Sequence, residues 1–203
     1  MKTPIILFLA LIFTIPAFAT IDPDPDQIGV YFDTNADVTC IAMESSVPFW
    51  VYVIITRPTS PEIHGVEFSL CEVVDPGMEG MLFRLSPIWE NYNPDIMPVL
   101  DGDWCNEGVA AGFFGPIVPQ GDNALLVSIQ YMMIATMTVD FHLGPMSAPS
   151  IPNGPPAYLG AGDEIIPLGV SSGDPDLPVA TVNGCSIIAV ENVDFGSIKC
   201  LYR

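Results

Sequence analysis

Side chains that carry oxygen are concentrated in the stretch DGDWCNEG, residues 101–108. Their near-alternate spacing suits Ca²⁺, a hard cation that binds carboxylate and amide oxygens. The predicted calcium ligands are Asp101, Asp103, Asn106 and Glu107. The stretch differs from an EF-hand loop, because Cys105 stands where that loop has Asp or Asn, and the glycine and the terminal glutamate are displaced. A solvated acidic turn is the alternative interpretation.

Aromatic side chains in the same part of the chain suggest a second kind of site. Trp89, Tyr92 and Trp104 lie within residues 86–107, which are rich in Pro, Asn, Asp and Trp. Rings that face solvent could stack on sugar rings, whereas buried rings would cover the end of the domain. These three residues are the predicted ligand-binding residues of a carbohydrate-binding interpretation.

Carboxylate pairs could support glycoside hydrolysis, which places two acids across the scissile bond. The candidate groups are Glu67 with Glu72, and Asp101 with Asp103 and Glu107. Because the chain contains 24 Asp and Glu residues, such pairs also arise by chance.

The sequence contains no recognisable catalytic motif. Its two histidines are His64, at a predicted turn, and His142, on a predicted strand. G-x-S-x-G, H-E-x-x-H and glycine-rich phosphate loops are absent. We therefore expect no catalytic residue, no cofactor other than the calcium considered above, and a protein that is not an enzyme.

Residues 1–19 have the layout of a secretory signal peptide. A basic start (MK) precedes an apolar run over residues 5–15, and AFA at residues 17–19 is an A-x-A cleavage site. The apolar run is too short to span a bilayer as a helix. We expect a protein that is secreted or held at the cell surface or in the periplasm, without a membrane span once the signal is removed.

The charge of the chain restricts its partners. Five Lys and Arg face 24 Asp and Glu, so the formal net charge is −19. Phosphates of nucleic acids and anionic membranes would repel such a surface. Half of the residues are hydrophobic and 14% are charged, which is typical of a folded domain rather than a disordered chain. We expect an extracellular protein or polysaccharide as partner, and no nucleic acid.

Apolar segments separated by turn residues predict an all-β domain. Residues 49–56 (FWVYVIIT) are apolar throughout and predict an interior strand buried on both faces, and residues 124–134 (ALLVSIQYMMI) predict another. Residues 137–143 could form a hairpin with the second of these strands. About ten predicted strands, with turns every eight to twelve residues and no helical core, favour a single antiparallel β-sandwich.

The segments around this sandwich have different compositions. Residues 20–27 form an acidic lead-in, residues 28–190 the sandwich, and residues 191–203 a tail that predicts a short helix or an extended end. Within the sandwich, residues 144–178 contain eight prolines and six glycines and predict one long loop.

The order of these motifs resembles the cohesin-like sandwich, the jelly-roll relative of bacterial carbohydrate-binding modules. The matching segments are FWVYVII at 49–55, IHGVEFSL at 63–70, ALLVSI at 124–129 and VNGCSIIAV at 182–190. The ending FGSIKCLYR resembles the W-G-x-I-K-x-L-Y-R ending of uncharacterised exported bacterial proteins. Together the resemblances imply an exported bacterial module that binds, adheres or assembles.

The resemblance also implies a disulfide pattern. In a cohesin-like plan the first and last strands lie side by side, which would bring Cys40 toward Cys185. Cys71 ends an interior strand and Cys105 lies in the next long loop, so they form the second pair, and Cys200 is the odd thiol. Cysteines that stay reduced are the alternative.

The sequence thus predicts an exported, non-enzymatic binding, adhesion or assembly module. The alternatives are a carbohydrate-binding or carbohydrate-active protein that uses the aromatic and acidic loop, and a structural subunit of the cell surface.

Overall fold

A computed structural model describes residues 24–85, 87–91 and 103–185. The predicted signal peptide, the first half of the lead-in and the whole tail lie outside these residues, as do Tyr92, Asp101 and Cys200. The predictions for those parts of the chain, and the segment boundaries drawn from them, stay predictions.

The described residues form strands and no helix, as the short apolar segments predict. The strands are β1 (Gln27–Tyr31), β2 (Cys40–Ile41), β3 (Pro48–Thr56), β4 (Ile63–Val74), β5 (Leu82–Arg84), β6 (Ile88–Trp89), β7 (Val109–Ile117), β8 (Asn123–Met133), β9 (Val139–Gly144), β10 (Ala157–Leu159), β11 (Ile165–Pro167), β12 (Gly169–Val170) and β13 (Ala180–Val182). Accordingly, no helix within residues 24–85, 87–91 and 103–185 has the length and hydropathy of a membrane span.

Two sheets pack face to face, so the predicted all-β sandwich is confirmed. The first sheet has the order β12-β1-β3-β8-β5, with β6 also paired to β8. The second has the order β11-β10-β4-β9-β13-β2, with β7 also paired to β4. Most pairs are antiparallel, as expected, but the edge strands β12 and β2 pair in parallel with β1 and β13. In each parallel pair, β1 with β12 and β2 with β13, the two strands are joined by a long stretch of chain, which a parallel pair requires.

The core lies between the sheets and follows the alternation of the long strands. Phe49, Val51 and Val53 of β3 face it from the first sheet, and Phe68 and Phe141 face it from the second. Both predicted interior strands are interior in the structure, since β3 lies between β1 and β8, and β8 lies between β3 and β5.

The predicted hairpin between residues 124–134 and 137–143 is wrong. The chain leaves β8 at Met133 and enters the second sheet as β9, which pairs with β4 and β13. Alternation gives β9 an apolar side, with Val139, Phe141 and Leu143 buried. That side can pack on the core from either sheet, so the pattern alone did not specify the pairing.

The segment 144–178 is not one unstructured loop. It contains β10, β11 and β12, which extend both sheets at their edges. Tyr158 of β10 is 1% exposed, and its hydroxyl donates to Asp26 at 2.7 Å. Burial is the main cause that raises the pKa of Tyr158. The network therefore ties the segment to the start of the domain.

Candidate functional site

The aromatic residues predicted to bind sugar pack into the core. Trp104 is 1% exposed, and its ring lies 5.7 Å from that of Trp89 and 6.2 Å from that of Phe68, between centroids. Trp89 is half-buried against the same cluster. A buried ring offers no free face to a ligand, so the sugar-stacking prediction is corrected at Trp104, which instead closes the end of the core.

The described part of the acidic stretch forms a hydrogen-bonded turn. The Asp103 carboxylate accepts from the backbone N–H groups of Cys105 and Asn106 at 3.0 and 3.2 Å, and from the Asn106 side chain at 2.6 Å. The Asn106 side-chain bond is the main cause that lowers the pKa of Asp103. Glu107 is exposed, and its backbone carbonyl accepts from Ser147.

Asp103 therefore acts as the acceptor that closes a turn. Among the described residues, no group of three or more His, Cys, Asp or Glu side chains is arranged to hold a metal ion. Asp101 lies outside those residues. The calcium site remains a prediction.

The acid pair Glu67 and Glu72 does not share a site. The two are five positions apart along β4, and alternation turns them to opposite faces of the sheet. Glu67 accepts from the Ser150 backbone N–H at 2.8 Å and from its hydroxyl at 2.7 Å, which pins the loop after β9. Glu72 points toward the first sheet. Because two acids must flank one bond, this pair cannot carry out glycoside hydrolysis.

Glu72 belongs to a network beside a recess of about 350 Å³. The hydroxyl of Tyr131, which is 0% exposed, donates to Glu72 Oε1 at 2.5 Å. Arg84 Nη1 lies 3.6 Å from the same oxygen, and its guanidinium sits 4.5 Å above the Trp104 ring. Burial, followed by the charge of Glu72, raises the pKa of Tyr131 well above its ordinary value. These bonds join β4, β8 and β5 across the sandwich, which is a structural role.

The structure contains two disulfides, Cys40–Cys185 and Cys71–Cys105, the same pairs that the resemblance implied. The first connects the edge strand β2 to the residues after β13, and the second joins β4 to the turn before β7. His142 of β9 stands opposite Cys71 in the strand register. Because the Cys71 sulfur is oxidised, it is not a nucleophile for that histidine.

The outer face of the first sheet carries three rows of side chains without charge. The strand register places Pro48, Met132 and Phe83 in the first row. Trp50 and Gln130 form the second row with Leu85, whose N–H donates to the Gln130 carbonyl. Tyr52, Ser128 and Ile88 form the third. We call these nine residues the apolar face.

Much of the apolar face is open to solvent. Trp50 is 37% exposed, Phe83 45%, Leu85 42% and Ile88 55%. The third row is covered at its β1 end, because Tyr31, which stands opposite Tyr52, is buried with Ile54 and Ala36 in a second, smaller apolar cluster. Contiguous exposed apolar surface of this kind marks an interaction site in many proteins.

The outer face of the second sheet differs in chemistry. Asp140 and His142 of β9 and Glu67 of β4 lie on it, and the loop through Ser150 covers part of it. Val73, which is 52% exposed, is an isolated apolar residue there. The two outer faces are therefore not equivalent, and only the first has a charge-free surface three rows deep.

An open cleft of about 550 Å³ lies near the covered end of the first sheet. Amide side chains line it and are held by backbone carbonyls. Asn91 donates to Pro116 at 3.2 Å, and Asn123 donates to Asn35 at 2.8 Å. No aromatic ring is among its described lining residues, so it does not replace the predicted sugar platform.

Sequence reasoning missed the apolar face because it treated residues 49–56 as buried on both sides. A signal was present, since Trp50 and Tyr52 alternate with Phe49, Val51 and Val53. Trp and Tyr suit positions with one wet side, whereas Phe and Val suit the core. The contributions from β5 and β6 could not be found this way, because they depend on strand register.

Comparison with solved structures identifies the architecture. The sixth cohesin of scaffoldin B from Acetivibrio cellulolyticus, solved with a Cel5 dockerin mutant, superimposes with a TM-score of 0.51. The match covers 79% of this chain and 99% of the cohesin at 10% sequence identity. The chain has a cohesin-like fold.

A second cohesin-like match is the seventh ScaB type I cohesin from Pseudobacteroides cellulosolvens. It covers 83% of this chain and 98% of that cohesin, with 11% identity and a TM-score of 0.46. No protein-family model and no curated protein matches the sequence. The likeness to the A. cellulolyticus cohesin, at 10% identity, shows the fold and does not assign a function.

Proposed function

We propose that the protein is an exported, non-catalytic protein-binding module that docks its partner on the apolar face. The partner would present an uncharged, apolar protein surface. The observation that carries the proposal is a charge-free face three rows deep on a chain with a net charge of −19.

The composition of the apolar face favours a protein over a polysaccharide. Trp50, Tyr52, Phe83 and Met132 are of the types enriched at the centres of protein interfaces, where Lys, Glu and Asp are depleted. Leu85 and Ile88 add aliphatic groups, which pack on protein side chains but provide no ring for a sugar to stack on. The A. cellulolyticus cohesin, solved bound to a dockerin, gives a precedent for protein binding by this fold.

Export is supported by three independent features. Residues 1–19 have the organisation of a signal peptide. Two disulfides persist most readily in an oxidising compartment. The strongly acidic composition keeps such a protein dispersed. We therefore place the mature chain at the cell surface, in the periplasm or in the medium.

The test is capture followed by measurement with a purified partner. The immobilised mature protein would be exposed to the exported proteins of its source organism, and bound proteins would be identified by mass spectrometry. Affinity for each purified partner would then be measured by calorimetry for the wild type, for Trp50→Arg and for Val73→Arg. Val73→Arg is the matched control, because it adds the same charge at an exposed residue of the other outer face.

The proposal predicts a partner whose affinity falls at least tenfold with Trp50→Arg and does not change with Val73→Arg. A partner with the opposite dependence would place binding on the second sheet and overturn the assignment. Binding to a panel of polysaccharides should be measured as well. If the wild type binds a glucan and Trp50→Arg abolishes that binding, the apolar face is a carbohydrate-binding surface instead.

A further inference from the structure

We infer that the partner of the apolar face is a second copy of this chain, with the same face of each copy packed together about a two-fold axis. The inference rests on the proposed function, because it names the occupant of the same surface. It goes further in predicting a symmetric dimer of the isolated protein.

Charge is the first argument. Each chain has a formal net charge of −19, so two copies repel each other wherever their acidic surfaces meet. The nine residues of the apolar face include no Asp, Glu, Lys, Arg or His. A two-fold axis brings a face onto itself, so a charged face would oppose like charges. The apolar face avoids this, whereas pairing through the other outer face would bring the acidic side chains Asp140 and Glu67 of both copies into one interface.

Self-complementarity is the second argument. A partner for this face must be uncharged and apolar, and a second copy presents such a surface by construction. In isologous packing Trp50 of one copy would lie near the open rows of the other, and every contact would occur twice. Two sheet faces pack at a separation of about 10 Å, and side chains of the size of Trp50, Phe83 and Met132 fill that space.

The available area is the third argument. Trp50, Phe83, Leu85 and Ile88 are 37–55% exposed. Aromatic side chains have areas on the order of 150–250 Å², and if the smaller Leu85 and Ile88 are taken at the lower end of that range, each of the four leaves roughly 60–130 Å² in water. The four together leave roughly 240–520 Å² in water, less than the ~800 Å² per partner of a standard interface. The half-buried Tyr52 and Met132 and the exposed Pro48 add to this area, which suits a weak, concentration-dependent dimer.

The covered end of the sheet defines where the contact stops. Ile54 and Tyr31 are 0% exposed, because the loop that contains Ala36 packs over them. Asn123 donates to the Asn35 backbone carbonyl at 2.8 Å and holds that loop in place. The dimer would therefore use the first two rows and the β6 end of the third, and leave the loop at its edge.

Sedimentation equilibrium of the mature protein tests the inference. The weight-average mass should rise toward twice the monomer mass with increasing concentration. Added salt should strengthen the association, because it screens repulsion between the acidic chains and leaves apolar packing intact. An interface held by ion pairs would show the opposite salt dependence.

Variants locate the interface. Trp50→Arg and Ile88→Arg should each weaken the dimer on the order of 10²–10³-fold, since each change occurs twice and a central hot-spot residue contributes ~2 kcal/mol per copy. Val73→Arg should leave the association constant within about twofold, a margin well below the tenfold that 1.4 kcal/mol represents. Circular dichroism and urea unfolding check that all three variants fold, which is expected because each residue is exposed.

Two results would overturn the inference. One is a wild-type protein that stays monomeric at every concentration and at high salt. The other is a dimer that Val73→Arg disrupts and Trp50→Arg does not. In the first case the proposed function is still tested separately by capture of a partner, so failure of the dimer and failure of the proposed function are distinguishable.

Discussion

Replacing Tyr131 by phenylalanine removes one hydroxyl group and keeps the ring. Tyr131 is 0% exposed, and its hydroxyl donates to Glu72 Oε1 at 2.5 Å. The ring lies 5.9 Å from that of Phe49 and 5.4 Å from that of Phe141, between centroids. Phenylalanine preserves these contacts, so the change isolates the hydrogen bond.

The size of the stability change depends on the interactions that Glu72 retains in the Tyr131→Phe variant. Its side chain is 19% exposed, and without the hydroxyl it retains Arg84, whose nitrogen lies 3.6 Å away. A hydrogen bond to a charged group stabilises a protein by about 1.5–3 kcal/mol. The ion pair between Arg84 and Glu72 is partly exposed, so it compensates little for the lost hydrogen bond. We expect Tyr131→Phe to lower the free energy of unfolding by about 2 kcal/mol, or roughly 4–8 °C in Tm for a domain of this size.

The difference in the free energy of unfolding between the wild type and Tyr131→Phe should depend on pH. Burial, followed by the charge of Glu72, raises the pKa of Tyr131 well above its ordinary value of 10.0. The unfolded chain therefore releases the Tyr131 proton at a lower pH than the folded chain. The stabilisation by Tyr131 is fully present below pH 10, the ordinary tyrosine pKa, and is lost as the pH rises toward the folded pKa. The gap between wild type and Tyr131→Phe should narrow above pH 10.

Urea unfolding at neutral and alkaline pH measures both effects. Tyr52→Phe is the matched control, because Tyr52 is half-buried and its hydroxyl makes no hydrogen bond within the described residues. It should change stability by no more than a few tenths of a kcal/mol, as surface substitutions do. If Tyr131→Phe costs no more than Tyr52→Phe, the reasoning about the Glu72 network is refuted.

Other substitutions test separate features. Thr181→Val should stabilise the fold by about 1 kcal/mol in urea unfolding, because the Thr181 hydroxyl is buried and finds no hydrogen-bond partner among residues 24–85, 87–91 and 103–185; destabilisation would show that the hydroxyl is satisfied. Gly108→Ala should cost at least 2 kcal/mol more than Gly77→Ala, since both have positive φ but only Gly108 has atoms 2.4–3.0 Å from an added Cβ; equal costs would contradict this. Replacing Cys71 and Cys105 by serine should cost about 4 kcal/mol through the loop entropy of the unfolded chain; an unchanged urea midpoint would argue against the bond.

Local pattern was sufficient for the long interior strands and for the end of β4, but not for the short strands β10, β11 and β12. Residues 75–77 (DPG) are of the types that favour a turn, and β4 ends at Val74, directly before them. The apolar runs at residues 49–56 and 124–134 predicted interior strands, and they correspond to β3 and β8. These features depend on neighbouring residues, which the sequence displays directly.

Some corrections were available from the sequence and others were not. Glu67 and Glu72 are five positions apart, and an odd spacing on a strand sends two side chains to opposite faces. The burial of Trp104 carried no such signal, because it depends on Phe68 and Trp89 reaching the same end of the core.

The sequence by itself determined the all-β class, the acidic charge and the strands that line the core, because periodicity, composition and turn residues are local properties. Tertiary structure decided which sheet β9 joins and which side chains form the apolar face. Trp50, Phe83 and Ile88 meet only because β3, β5 and β6 all pair with β8 in a particular register. That register depends on long-range packing, in which a shift of one residue would turn every side chain to the other face.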